Sequence, residues 1–289
     1  ALFGLVAGQA VVWYTGQFYS MFFLTSVLKV DGTTANILLA IALLLGTPFF
    51  VVFGSLSDRI GRKPVIMAGL ALACLTYFPM FKALTEAANP DLARAQARAQ
   101  VVVKADPMTC SFQGSPIARE IDFTSACDIA KRTLAVNAAS YSNMPLPSGS
   151  GAVVTIGTVE IAAPNARLNA AQDRFEAESA TAIAEFRQKV AAALNDAGYP
   201  KSADPAKMNK PAIVLILMVL VIYVTMVYGP IAAALVEMFP TRIRYTSLSI
   251  PYHVGNGWFG GLMPTIAFAM VAGNGDIYHG LWYPVVIAA

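Results

Sequence analysis

Charge is what this 289-residue sequence has least of. Asp, Glu, Lys and Arg make up 13% of it, about half the usual share of a soluble domain. None of the four occurs over 2–28, 32–57, 64–81 or 211–236. Runs of that length exclude an ordinary soluble fold for those parts of the chain. There are only two histidines and three cysteines. His253 and His279 stand alone, so no His/Cys metal spacing exists, and neither a nucleophile–base spacing nor a phosphate-cradling loop is present. An enzyme therefore has little support. The sequence also lacks an initiator methionine and a signal-peptide pattern. Both ends lie inside apolar runs, which leads us to expect a longer polypeptide.

The charge that is present is unevenly spread. Residues 85–210 hold 13 Lys/Arg and 13 Asp/Glu, leaving 7 and 4 for the rest of the chain. The net charge of +3 is thus a small remainder of two unlike regions. It argues for neither a nucleic acid nor an acidic partner.

The apolar runs read as membrane spans. Leu2–Leu28 is the first, Ile37–Leu56 the second, Val65–Phe81 the third, Pro211–Val236 the fourth and Tyr245 to about Ala272 the fifth, with Leu281–Ala289 opening a sixth. Lys82 is placed to snorkel to the interface. Gly229-Pro230 is expected to bend or interrupt the fourth span. The domains expected are 1–84 with three spans, 85–210 as an insert and 211–289 with the remaining spans. Arg59, Arg62 and Lys63 occupy one short loop, and Arg242 and Arg244 another on the same side. Only Lys29 faces them from the opposite short loops, so the positive-inside rule puts the basic loops in the cytoplasm and the insert outside.

Within the insert, Asn165–Asn195 has the apolar period of an amphipathic helix, with Leu168, Phe175, Ile183, Phe186, Val190 and Leu194 near one face. Ala152–Ala162 alternates and is β-branched, which predicts a strand after a Pro/Gly/Ser turn over 145–151. The insert is therefore expected to be a small α+β domain. Cys110 and Cys127 both lie in it, where an oxidising exterior permits a disulfide.

Gly54-Ser-Leu-Ser-Asp-Arg-Ile-Gly-Arg-Lys, with four charges in ten residues, predicts a tight loop between two spans. Its pattern also resembles the signature loop of the major facilitator superfamily of secondary transporters, with Gly54, Asp58, Arg59, Gly61, Arg62 and Lys63 on the fixed positions. Glu237-Met-Phe-Pro-Thr-Arg-Ile-Arg244 resembles the loop after the tenth span of that superfamily. The run from Arg244 to Gly261 and Gly-Leu-Trp-Tyr-Pro at 280–284 resemble the eleventh and twelfth spans of its metabolite:proton symporter branch. The resemblance covers everything but the insert, which is unusually long for the branch.

The resemblance implies the six-helix C-terminal half of an all-α polytopic membrane protein. It further implies proton-coupled symport of a small organic acid or zwitterion by alternating access, in a bacterial inner membrane with the insert in the periplasm. No cofactor is implied beyond the proton as coupling ion. By position, the Gly54–Lys63 loop is the gate and Asp58 its central residue, with Glu237 pairing with Arg62 or Arg244. Gln9, Trp13 and Gln17 on the first span and Tyr223 and Tyr228 on the fourth fall on cavity-lining helices. For the polar residues of the first span, interhelical bonding is equally open. His253 and Asn256 are further intramembrane candidates. His253 suits a proton carrier, whereas Gly255, Gly257, Gly260 and Gly261 mark the same helix for close packing. A different class of function stays open: a non-transporting subunit or receptor whose insert binds an extracytoplasmic protein.

Overall fold

The computed structural model of the chain describes residues 2–113 and 118–289, and is mostly helical with one small sheet. A first helical path, α1, covers 2–27. It is α-helical over Leu2–Tyr14 and widens to π-helix at Thr15–Tyr19 and Phe23–Val27. The Ser20 hydroxyl donates to the Thr15 carbonyl five residues back at 2.7 Å, which supplies a bond where the helix is widened. Such wide turns concentrate at functional sites.

α2 runs Gly32–Ile60, capped by the Asp31 carboxylate on Thr34 N–H at 2.9 Å. The charged hinge is shorter than the sequence predicts. Gly54–Ile60 completes α2, and α3 (Arg62–Ala88) starts two residues later, so the loop reduces to Gly61. Gly61 takes φ +97°, a backbone conformation that any side chain would strain. After the insert comes α7 (Lys210–Glu237). It passes Gly229-Pro230 without a break in the helix, and packs against α1, α2 and α3. α2, α3 and α7 are long and apolar enough to cross a membrane. The fifth expected span is a helix in two pieces, α8 (Arg244–Val254) with a π turn over Gly255–Gly260, then α9 (Met263–Asn274). α10 (Trp282–Ala288) follows.

The chain leaves and re-enters the helical bundle side by side. Asn209 N–H donates to the Ala87 carbonyl at 2.9 Å. Asn89 caps α4 (Pro90–Arg98) through Leu92 N–H at 3.1 Å and donates its amide to the Leu28 carbonyl at 2.9 Å. Asn209 likewise caps α7 through Ala212 N–H at 3.1 Å. One buried asparagine, Asn89, thus starts a helix and ties it to the end of α1.

Beyond this neck lies an α+β unit. β1 (Val101–Ala105) pairs in parallel with β2 (Ser142–Pro145), the crossover being α5 (Ala126–Val136). On its other side β1 pairs antiparallel with β3 (Val153–Ile156), which turns into β4 (Val159–Ala162), giving the order β2-β1-β3-β4. The single expected strand over 152–162 is therefore a hairpin, turned at Gly157-Thr158 with Gly157 at φ +58°. α6 starts at Ala177 and ends at Asp196. Residues 165–176 fold instead as a loop closed by the Leu168–Phe175 bridge, in which Asn169 accepts from the backbone N–H of Asp173 at 3.1 Å. Ile183, Phe186, Val190 and Leu194 form the buried stripe of α6 as their spacing predicts. Cys110 and Cys127 are disulfide-bonded, with Cα atoms 5.2 Å apart.

Candidate functional site

Two groups of side chains collect the expected residues, one at the loop end of α2, α3 and α7 and one along the faces of α1, α7 and α8. At the loop end Arg62 is the centre. Its guanidinium bonds the Asp58 carboxylate one turn back, donates to Ser57 Oγ at 2.8 Å, and reaches Glu237 Oε1 from both Nε and Nη2 at 3.3 Å. One planar fork thus ties the end of α2 and the start of α3 to the end of α7, across 175 positions of sequence. Arg244 is not Glu237's partner, since its Nε donates to the Phe239 carbonyl at 3.1 Å and closes its own loop. Arg59 and Lys63 are exposed and make no ion pair among the described residues. Asp58 and Glu237 remain largely exposed, so the cluster is an interaction of modest strength that can be broken.

The second group is aromatic. Trp13 stacks on Tyr228 with ring centroids 6.1 Å apart and planes 27° apart, and Phe50 of α2 meets the Tyr228 ring edge-on at 6.2 Å. The Tyr228 and Tyr252 hydroxyls share a hydrogen bond of 3.0 Å. Asn256 donates to the Tyr252 carbonyl at 2.9 Å, and His253 is exposed beside it, on the rim of a 320 Å³ cavity shared with Tyr228, Tyr245 and Tyr252. His253 bonds no neighbouring carbonyl among the described residues. Gly255 and Gly260 lie against Val6 and Tyr14 of α1 and Gly261 against the Gly257 carbonyl of its own helix, while Gly257 faces open space.

The remaining cavity candidates lie apart. Gln17 is half-buried one turn beyond Trp13. Tyr223 turns the other way, accepting from Thr76 Oγ1 of α3 at 3.0 Å. Gln9 is sealed from solvent, and neither amide atom has a hydrogen-bond partner among the described residues. A buried unpartnered amide is costly.

Sequence reading missed what holds the insert to the helices. Lys131 Nζ donates to the Gly273 carbonyl at 3.1 Å, Tyr141 Oη to the Ala272 carbonyl, and Asn143 Nδ2 to the Asn274 carbonyl at 2.7 Å. Tyr141 N–H adds a bond to the Gly275 carbonyl at 2.9 Å, and Lys29 Nζ one to the Val136 carbonyl at 2.7 Å. Burial pushes the Tyr141 phenol up and the Lys29 and Lys131 ammonium groups down from their ordinary values. No motif advertises these contacts, because their acceptors are backbone carbonyls, which every sequence supplies.

No family model, no curated protein and no solved structure matches this chain.

Proposed function

We propose that this chain is the C-terminal six-helix half of a major facilitator transporter, a proton-coupled symporter of a small organic acid or zwitterion. The observation that carries the reading is the Arg62 fork between Asp58 and Glu237. The two loops whose patterns resemble the superfamily's, far apart in sequence, meet in space through one charged cluster at a common end of the bundle. A latch of partly exposed ion pairs suits alternating access, because it holds one state without making it permanent. Trp13, Tyr228, Tyr252, His253 and Asn256 then form the solute-facing wall, with hydroxyl, amide and imidazole groups on an aromatic surface. The insert belongs on the periplasmic side by the distribution of Lys and Arg in the short loops. Its many bonds to the ends of α1 and α9 favour a part that moves with the helices over a receptor module that merely rides on them.

The test is solute-dependent alkalinisation outside proteoliposomes of the full-length protein, across dicarboxylates, oxo-acids, aromatic acids and betaines. A signal for one class, lost in Asp58→Asn while the protein stays folded and inserted, is the expected outcome. Silence across the panel from folded protein contradicts the proposal.

A further inference from the structure

Where the insert meets the ends of α1 and α9, a cavity of about 570 Å³ opens, walled by Phe22, Lys29, Phe123, Arg132, Thr265 and Phe268 among others. Its size is that of a small-molecule site. Two cations and no carboxylate line it among the described residues. Neither Lys29 nor Arg132 belongs to an ion pair among the described residues.

Arg132 is held in place without being neutralised. Its guanidinium carbon lies 5.7 Å from the centre of the Phe123 ring of the insert and 5.5 Å from that of Phe268 on α9. One nitrogen donates to Gln113 Oε1 at 3.4 Å, and its other donors bond nothing among the described residues. Lys29 spends one donor on the Val136 carbonyl, at 2.7 Å, and has two more. Partial burial disfavours its charged form, a cost that a bound anion relieves. A positioned planar fork, a second cation and apolar walls are what a carboxylate with a small apolar body needs.

We propose that this cavity is an outer binding site for an organic monocarboxylate with an apolar, ring-sized body, Arg132 and Lys29 taking the carboxylate. That the bound acid is also the cargo rests on the transport reading; the site itself does not. It would give the insert a role in collecting solute at the mouth, and it supplies the cation that the spans themselves lack.

The probe is 4-fluorobenzoate, followed by fluorine NMR line broadening on the full-length protein in phosphatidylcholine nanodiscs, with 4-fluorobenzamide as the neutral control. Broadening by the acid and not by the amide is expected. Affinity should fall at least about tenfold in Arg132→Gln and by a smaller factor in Lys29→Met, the range of lost charge-assisted bonds. Arg132→Lys, which keeps the charge and loses the fork, should fall between. No binding by wild type overturns the site, as does binding that survives both Arg132→Gln and Lys29→Met in folded protein. Retention of phosphatidylglycerol that depends on Arg132, with the acid ignored, would assign the cavity to a lipid headgroup and overturn the proposal. In a flux assay, Arg132→Gln should raise KM and leave kcat unchanged. Binding without flux removes the transport reading and keeps the site, whereas flux with an unchanged KM overturns the claim that the bound acid is the cargo and leaves the site to the binding assay.

Discussion

The two ends of the helical bundle are fastened by opposite means. At the loop end the fastening is ionic and partly exposed, one arginine fork on two carboxylates. At the insert end it is a set of bonds to backbone carbonyls from Lys29, Asn89, Lys131, Tyr141 and Asn143. Exposed ion pairs exchange readily for water, whereas the two buried bonds of the insert end, those of Asn89 and Tyr141, are expensive to leave unmade. The fastening at the loop end is therefore the easier of the two to release, and the insert and the ends of α1 and α9 should move as one body.

The joint at the insert is where that contrast is easiest to break. Gly275 takes φ +101°, and a Cβ there would run into the Tyr141 carbonyl and ring. Gly275→Val should therefore cost about 3 kcal/mol or more, read as a lower unfolding midpoint and faster proteolysis of 138–144. Replacing Cys110 and Cys127 by serine should cost about 3 kcal/mol in the insert and leave the bundle's own transition in place, so that two transitions separate in a thermal scan. Tyr141→Phe, losing one buried bond to Ala272, should cost about 1 kcal/mol. In the bundle the opposite sign is expected. Gln9→Met removes a sealed amide with no partner among the described residues and should raise the midpoint by the equivalent of about 1 kcal/mol.

The smallest effect is one of pH. Asp106 accepts from Met108 N–H and Gly149 N–H at 3.0 Å each, and these bonds, Met108's first, hold its carboxyl below the ordinary range. A group depressed in the folded state contributes stability that is complete above its unfolded pKa, about 4. That contribution is lost as pH falls through the lowered folded value. Insert melting should show this acid-side loss, and Asp106→Asn should flatten it.

Much of the bundle was legible because long uncharged runs have few alternatives, and the charge-dense stretch marked the insert for the same reason. The hinge was misjudged in length. Charge suggested a loop, yet Asp58 and Arg62 one helical turn apart are an ion pair that a helical path tolerates, leaving the turn to Gly61 alone. The 152–162 segment looked like one strand because its β-branched residues continue on both sides of Gly157, and only pairing distinguishes a strand from a hairpin. The start of α6 was placed too early because Leu168 and Phe175 fit a helical stripe, while they bridge each other across a loop. Among the charged candidates, Asp58, Arg62 and Glu237 were brought together, while Arg59, Lys63 and Arg244 were not. Those chosen for lying on a cavity helix were divided by helix rotation, Tyr228 towards the Trp13 stack and Tyr223 towards α3. Arg132 and Lys29 went unnoticed as a pair because they are 103 positions apart and only the packing of α5 on the bundle joins them.

Hydrogen–deuterium exchange of the full-length protein, wild type beside Asp58→Asn, tests the contrast between the two ends most directly. The account predicts faster exchange at 54–64 and 235–244 in the variant, with 138–144 and 272–276 unchanged. Unchanged exchange at the loop end, or loosening of the insert joint in its place, would contradict it.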